Sequence, residues 1–150
     1  MILPLNALLF AGGLIADNKG LKETSFNAFK SVVSTAAITV SLKYLTGRSR
    51  PYTEDGAYHF EPFPPDRHKY RSLPSGHTSV AFAFFTPFAE KYSRWIYSIP
   101  LSVGLSRVYK DDHWSSDVVL GAAIGFLSGY FFQHKTEHFE ISFNKLVIRF

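Results

Sequence analysis

Uncharged apolar runs separated by polar or proline-rich segments divide the chain into blocks of helix length. Residues 1–16 form the first block, and the polar segment 17–20 ends it. Thr24 or Ser25 is suited to cap a second helix, because both side chains can accept a hydrogen bond from a free N–H of the first turn. That helix is predicted to run to about Leu45, with a glycine two residues beyond it as a stop signal.

The second half of the chain predicts three more helices. They cover approximately residues 75–91, 94–108 and 115–133, and Ser75 stands at the cap position of the first of them. In the tail, apolar and polar residues alternate over residues 139–144, and a period of two is typical of a strand. The fold class predicted for residues 1–150 is therefore a single all-α domain, a bundle of about five helices with a short C-terminal strand.

A long irregular segment, residues 46–74, separates the second and third helices and contains five of the eight prolines. Loops of more than ~12–15 residues in compact domains are usually functional or disordered, and the five aromatic residues in this one argue against disorder. The segment is also basic, which could attract an anionic substrate or lipid headgroup, although a solvated loop face explains the charge equally well. Its cations outside the motifs described below are Arg48, Arg67, Lys69 and Arg71.

Composition narrows the class of protein. Hydrophobic residues make up 46% of the chain and charged residues only 19%, with a net charge of +4, which excludes intrinsic disorder. The absence of cysteine excludes disulfides and thiolate metal sites. Every uncharged run is shorter than the ~20 apolar residues of a spanning helix. Hydropathy alone therefore favours a buried helical core slightly over a bilayer bundle.

Three short motifs carry groups suited to binding and transferring phosphate. In the first, Lys43 lies near a helix end and is followed by Arg50 and Pro51 in the loop. Lysine supplies a point charge and arginine a planar fork, and both bind phosphate well. Taken alone, the motif is also compatible with a solvated basic helix end.

The second motif is Pro74-Ser75-Gly76-His77, directly before an apolar helical run. A helix N-terminus offers unpaired N–H groups and the positive end of the helix dipole, and Gly76 lets an anion approach the backbone. Ser75 is suited either to cap the helix or to donate to the ligand. An ordinary serine cap followed by a surface histidine explains the motif equally well.

The third motif runs from Ser106-Arg107 to His113 and Asp117. A carboxylate four residues after a histidine can reach one ring nitrogen, which fixes the tautomer and leaves the other nitrogen free to attack. Asp117 could instead merely complement the helix dipole. A metal site built with Asp111 and Asp112 is a weaker alternative, because no second cluster completes a ligand shell.

Together the motifs resemble the superfamily of type-2 phosphatidic acid phosphatases and vanadium haloperoxidases. Its signature is K-x6-RP, PSGH and SR-x5-H-x3-D, and all three blocks match between Lys43 and Asp117 without a substitution. The resemblance implies that His113 is a nucleophile that forms a phosphohistidine, that His77 is the general acid, and that Asp117 orients His113. The phosphate clamp that it implies consists of Lys43, Arg50 and Arg107, helped by Ser75 and the Gly76 N–H.

The function implied is hydrolysis of a phosphomonoester or diphosphate, with a lipid or isoprenoid phosphate as the favoured substrate class. The alternatives are a soluble non-specific acid phosphatase, a vanadate-dependent haloperoxidase, and a non-catalytic anion-binding or membrane module. No metal or other cofactor is expected, and vanadate should act as an inhibitor, or as a cofactor only in a haloperoxidase.

The expected location is the cell envelope, in the membrane or on its periplasmic side, with a soluble form as the alternative. The expected partner is the phosphorylated substrate, with membrane association and without nucleic acid, and no oligomeric state follows from the sequence. Because the family's membrane enzymes usually have six spans, the resemblance implies that an N-terminal helix is missing here.

Overall fold

The computed structural model describes residues 2–65 and 69–135. Within these ranges the chain forms five α-helices and two short 3₁₀ helices, and the all-α prediction is confirmed. The α-helices are α1 (Ile2–Ile15), α2 (Lys19–Thr46), α3 (Gly76–Lys91), α4 (Ser98–Tyr109) and α5 (Ser115–Lys135). The 3₁₀ helices are Pro51–Thr53 and Arg94–Tyr97. The strand predicted over residues 139–144 lies outside the described residues.

The beginning of α2 differs from the prediction, whereas its end agrees. Asn18 caps the helix, because its Oδ1 accepts from the Leu21 N–H at 3.0 Å. Thr24 therefore lies inside the helix, where its hydroxyl donates to the Gly20 carbonyl at 2.8 Å, a bond that satisfies a buried hydroxyl without a cap. At the other end Gly47 has a φ of 56°, and its N–H donates to the Lys43 carbonyl. Glycine reaches this left-handed conformation without strain.

The centre of the bundle is α3, which contacts α2, α4 and α5. Its seam with α5 is unusually close, because α5 presents glycines at every fourth position. A Cβ atom on Gly121 would lie 2.6 Å from the Ser75 carbonyl oxygen, and one on Gly129 would lie 2.6 Å from Thr86 Cβ. Only glycine permits the two helices to approach so closely.

Small and polar side chains fill much of the interior, while many large apolar side chains point outward. Leu8 on α1 and Leu105 on α4 are 71% and 72% exposed. The buried hydroxyl residues of α2 and α3 are Thr24, Ser25, Ser31, Thr35, Thr39, Thr78, Ser79 and Thr86. Close packing through small residues with apolar side chains facing outward is how helices associate in a bilayer.

Among the described helices, α5 alone has the length and the apolar composition needed to cross a membrane. The core helix of a soluble protein can meet the same two criteria. Its N-terminus meets the N-terminus of α3, where the Ser75 N–H donates to the Asp117 carbonyl at 2.9 Å. The ends of α2 and α4 that carry Lys43 and Arg107 belong to the same end of the bundle. All three motifs thus meet there.

Candidate active site

Lys43 lies in the last turn of α2 and points across to the segment that precedes α3. Its ammonium donates to the Arg71 carbonyl at 2.5 Å and to the Ser72 carbonyl at 3.3 Å. Its Cε would be 3.6 Å from a Cβ atom built on Gly76. The first and second motifs are therefore adjacent in space, and the Lys43 ammonium lies beside the N-terminus of α3.

Arg50 and Arg107 come together at the turn between α4 and α5. One guanidinium nitrogen of Arg50 lies 3.4 Å from the Asp112 carbonyl oxygen, and one of Arg107 lies 3.4 Å from the Asp112 carboxylate. The Nε of Arg50 is buried and has no hydrogen-bond partner among the described residues. Arg50 thus keeps donor capacity for an anionic ligand, since a buried donor left unpaired is costly.

The N-terminus of α3 differs in one detail from the predicted serine cap. Ser75 occupies the cap position and is buried, but its hydroxyl pairs with the Thr78 hydroxyl at 3.0 Å and makes no side-chain cap bond. The N–H groups of the first turn keep their capacity to bind an anion. His77 stands exposed on this turn. Partial desolvation and the positive charges of Arg107 and Lys43 disfavour the protonated form of its imidazole.

His113 is buried, at 4% exposure, and its Nδ1 faces Asp117. The distance from Nδ1 to Asp117 Oδ2 is 3.7 Å, longer than a hydrogen bond. The hydroxyl of Ser72 is within reach of both groups, 3.3 Å from Nδ1 and 2.5 Å from Oδ2. The predicted histidine–carboxylate pair is thus brought together, and a serine bridges it.

Burial lowers the pKa of the His113 imidazole below its ordinary value of 6.5. The charges of Lys43 and Arg50 lower it further, whereas Asp117 opposes the change. Desolvation and nearby cations both disfavour the imidazolium form. His113 is therefore neutral at neutral pH, which is the form with a lone pair for nucleophilic attack.

Sequence reasoning missed two residues of this site, Arg48 and Ser72. The sequence indicates only that Arg48 belongs to a basic loop, whereas in the structure it is buried and its Nη1 lies 2.6 Å from Asp117 Oδ1. The same nitrogen donates to the Ser116 hydroxyl at 2.7 Å, and Nε donates to the Ala57 carbonyl at 2.8 Å. The available signal was weak: a second arginine stands two positions before the one in the K-x6-RP motif.

The metal alternative gains no geometric support. Across residues 2–65 and 69–135, no group of three or more histidine, aspartate or glutamate side chains is arranged to hold a metal ion. Asp112 faces Arg107, and both carboxylate oxygens of Asp117 accept hydrogen bonds from the protein.

Comparison with known proteins places these motifs in a family. The chain matches the PAP2 superfamily over residues 25–139. A lipid A 1-phosphatase of Porphyromonas gingivalis is 42% identical over 81 residues, which cover 49% of this chain and 18% of that protein. A lipid A 1-phosphatase of Rhizobium etli is 33% identical over 102 residues, covering 65% of this chain and 44% of that protein.

The fold has a solved counterpart. The crystal structure of Aquifex aeolicus LpxE superimposes with a TM-score of 0.69 at 24% identity, over 88% of this chain and 75% of that chain. The chain spans less than half the length of the curated relatives it matches. The family match covers most of the chain and includes all three motifs, so this protein belongs to the PAP2 superfamily.

Proposed function

We propose that this protein is a phosphatase that hydrolyses a lipid phosphate monoester or diphosphate through a phosphohistidine, without a metal ion. The observation that carries the proposal is the convergence of a buried, neutral His113 with three cationic side chains at one end of the bundle. Phosphoryl transfer requires mainly positioning and stabilisation of charge. Lys43, Arg50, Arg107 and the first N–H groups of α3 supply both.

In the first step the phosphate binds among the three cations. The Nε2 lone pair of His113 attacks phosphorus, and the bond from phosphorus to the leaving oxygen breaks. His77 donates its proton to that oxygen, so the alcohol or phosphate leaves in protonated form. His77 suits this role because it is exposed at the mouth of the site, where the leaving group meets solvent.

In the second step water attacks the phosphohistidine. His77, now neutral, accepts a proton from the water as the new oxygen–phosphorus bond forms and the bond to Nε2 breaks. Inorganic phosphate leaves, and both histidines return to their starting protonation states. The cations neutralise the oxygens of the transferring group in both steps, which is the task that a metal ion performs in metal-dependent phosphatases.

A lipid substrate and a membrane location fit the surface of the bundle. The outward apolar side chains described above would contact acyl chains, and the exposed Tyr58 and Tyr109 suit the interfacial zone where amphipathic rings collect. The site lies at the end of the helices, where a lipid headgroup would be presented. The matched relatives are named lipid A 1-phosphatases, which supports a phosphorylated envelope lipid as the substrate class.

The test is release of inorganic phosphate from lipid phosphates and from soluble phosphate esters, measured in detergent with excess EDTA. We expect lipid phosphates to be hydrolysed and EDTA to have no effect. His113→Asn should abolish turnover, whereas the matched variant His134→Asn, at the opposite end of α5, should keep it. Wild-type protein incubated with labelled substrate and quenched in alkali should carry an acid-labile label that His113→Asn lacks.

Three results would contradict the proposal. The first is normal turnover by His113→Asn. The second is loss of activity in EDTA with recovery on adding a divalent metal. The third is hydrolysis of soluble esters alone, which would leave the mechanism intact but remove the lipid substrate class.

A further inference from the structure

The hydroxyl of Ser72 stands between the groups expected to pair directly. It is fully buried, so no bulk water competes for its two neighbours. It lies 2.5 Å from Asp117 Oδ2 and 3.3 Å from His113 Nδ1. Because the direct distance between Nδ1 and Oδ2 is 3.7 Å, the hydroxyl makes the shorter contact with each group.

The other contacts of Asp117 show that its carboxylate is ionised and held in place. Arg48 donates to Oδ1 at 2.6 Å, and the Trp114 backbone N–H donates to Oδ2 at 3.0 Å. A carboxylate that pairs with a buried guanidinium and accepts further hydrogen bonds stays charged. An ionised carboxylate can only accept, so the single proton of the Ser72 hydroxyl is directed to Asp117.

This direction determines the proton on His113. With its only proton given to Asp117, the Ser72 oxygen has only lone pairs to offer the imidazole. Nδ1 must then carry the hydrogen and donate it to Ser72, since two lone pairs facing each other would repel. A neutral histidine protonated on Nδ1 has its free lone pair on Nε2, which is the atom that attacks phosphorus in the proposed mechanism.

We propose that Ser72 is a positioning residue that selects the Nδ1–H tautomer of His113 by relaying a hydrogen bond to the carboxylate of Asp117. Asp117 thus acts on the nucleophile chiefly through Ser72, and the hydrogen bond from Arg48 holds the Asp117 carboxylate in position. The kinetic consequences rest on the proposed function, whereas the tautomer of the resting protein does not.

The kinetic test compares Ser72→Ala, Ser72→Thr and the control Ser128→Ala, which removes a hydroxyl bonded to the Ser31 carbonyl at 3.2 Å, away from the site. We expect Ser72→Ala to lower kcat by about 10–100-fold, the range typical when a hydrogen-bond partner that orients a metal-binding histidine is lost. KM should stay within about twofold, because the cations that bind the substrate are intact. Ser72→Thr should restore much of kcat, since it keeps the hydroxyl.

The spectroscopic test is ¹⁵N NMR of histidine-labelled protein in detergent at neutral pH, with the His113 signals assigned by their loss in His113→Gln. Wild-type His113 should show a protonated Nδ1 and an unprotonated Nε2. Ser72→Ala should show a mixture of tautomers or the Nε2–H form, whereas Ser128→Ala should match the wild type. A role of Ser72 in folding alone would not change the tautomer.

The proposal is overturned if wild-type His113 carries its proton on Nε2, or if Ser72→Ala keeps the wild-type tautomer, whatever its kcat. A rise in KM at unchanged kcat would also overturn it, because Ser72 would then bind substrate. If Ser72→Ala does not fold, two measurements still test the proposal: the tautomer of wild-type His113, expected to be protonated on Nδ1, and the kcat of Ser72→Thr, expected to stay near the wild-type value. If the wild type hydrolyses no phosphate ester, the proposed function fails, and the NMR result alone decides this inference.

Discussion

The close seam between α3 and α5 depends on glycine, and Gly125→Ala tests how strongly. A Cβ atom on Gly125 would lie 2.1 Å from the Ser79 carbonyl oxygen and 2.9 Å from the Ala83 backbone nitrogen. These are backbone atoms, which cannot rotate away as the end of a flexible side chain could. The two helices would have to separate locally by about 0.9 Å before the closest contact reached 3.0 Å.

The expected loss of stability follows from that separation. A gap of ~0.5–1 Å forfeits about a quarter to a half of the dispersion attraction between facing atoms, and overpacking a close-packed interior typically costs ~1–3 kcal/mol. Alanine offsets about 1 kcal/mol of this, because it favours the helix over glycine. Because backbone atoms oppose the new Cβ, the cost should lie at the upper end of that range, about 3 kcal/mol. The net loss is then about 2 kcal/mol, which corresponds to a decrease in Tm of about 4–8 °C.

The matched control is Gly12→Ala on α1. Apart from its chain neighbours and the backbone of its own helix, no atom in the described part of the chain lies within 4 Å of a Cβ built at Gly12. This variant should gain ~0.5–1 kcal/mol from helix propensity alone, raising Tm by about 1–4 °C. Thermal unfolding in detergent, followed by tryptophan fluorescence, measures both. A wild-type Tm for Gly125→Ala, or the same change in both variants, would refute the reasoning.

Three further predictions concern the charges of the site. Arg48→Gln should lower the free energy of unfolding by about 3–5 kcal/mol, because it leaves the Asp117 carboxylate buried without its partner. Thermal unfolding measures the loss, and the double variant with Asp117→Asn should be more stable than Arg48→Gln alone. The fall of kcat/KM at acid pH that arises from protonation of His113 should lie below pH 6.5. Because the pKa of the His113 imidazole is lowered, its attacking lone pair is lost only when the pH falls through that lower value. Asp117→Asn should move the limb to still lower pH in a pH–rate profile, since the carboxylate opposes the lowering; a limb moving upward would contradict this cause. Vanadate, which imitates the transferring phosphoryl group, should inhibit competitively, and Arg107→Lys should weaken that inhibition at least about tenfold, because a point charge cannot reproduce the planar fork; an unchanged inhibition constant would remove Arg107 from the clamp.

The order of the helices and the chemistry of the site could be predicted from the sequence because both depend on residues that are close together in the chain. Apolar runs and stop signals such as Gly47 act within a few residues, so the predicted ends of most helices agree with the structure. The predicted start of α2 was wrong because Thr24 and Ser25 are good capping residues in isolation. In the structure Asn18 caps the helix six residues earlier, and the hydroxyls of Thr24 and Ser25 are buried inside the bundle. The motifs were readable because each is contiguous and its residue types suit phosphate.

The assembly of the site was decided only by the tertiary structure. Arg48 and Asp117 are 69 positions apart, and nothing local distinguishes Arg48 from the other cations of its loop. Ser72 gains its place between His113 and Asp117 only when the loop packs against the start of α5. Gly125 likewise appears as one more glycine in an apolar run until α3 lies against it. Contacts between distant segments depend on how whole helices pack, and a pattern of neighbouring residues does not contain that information.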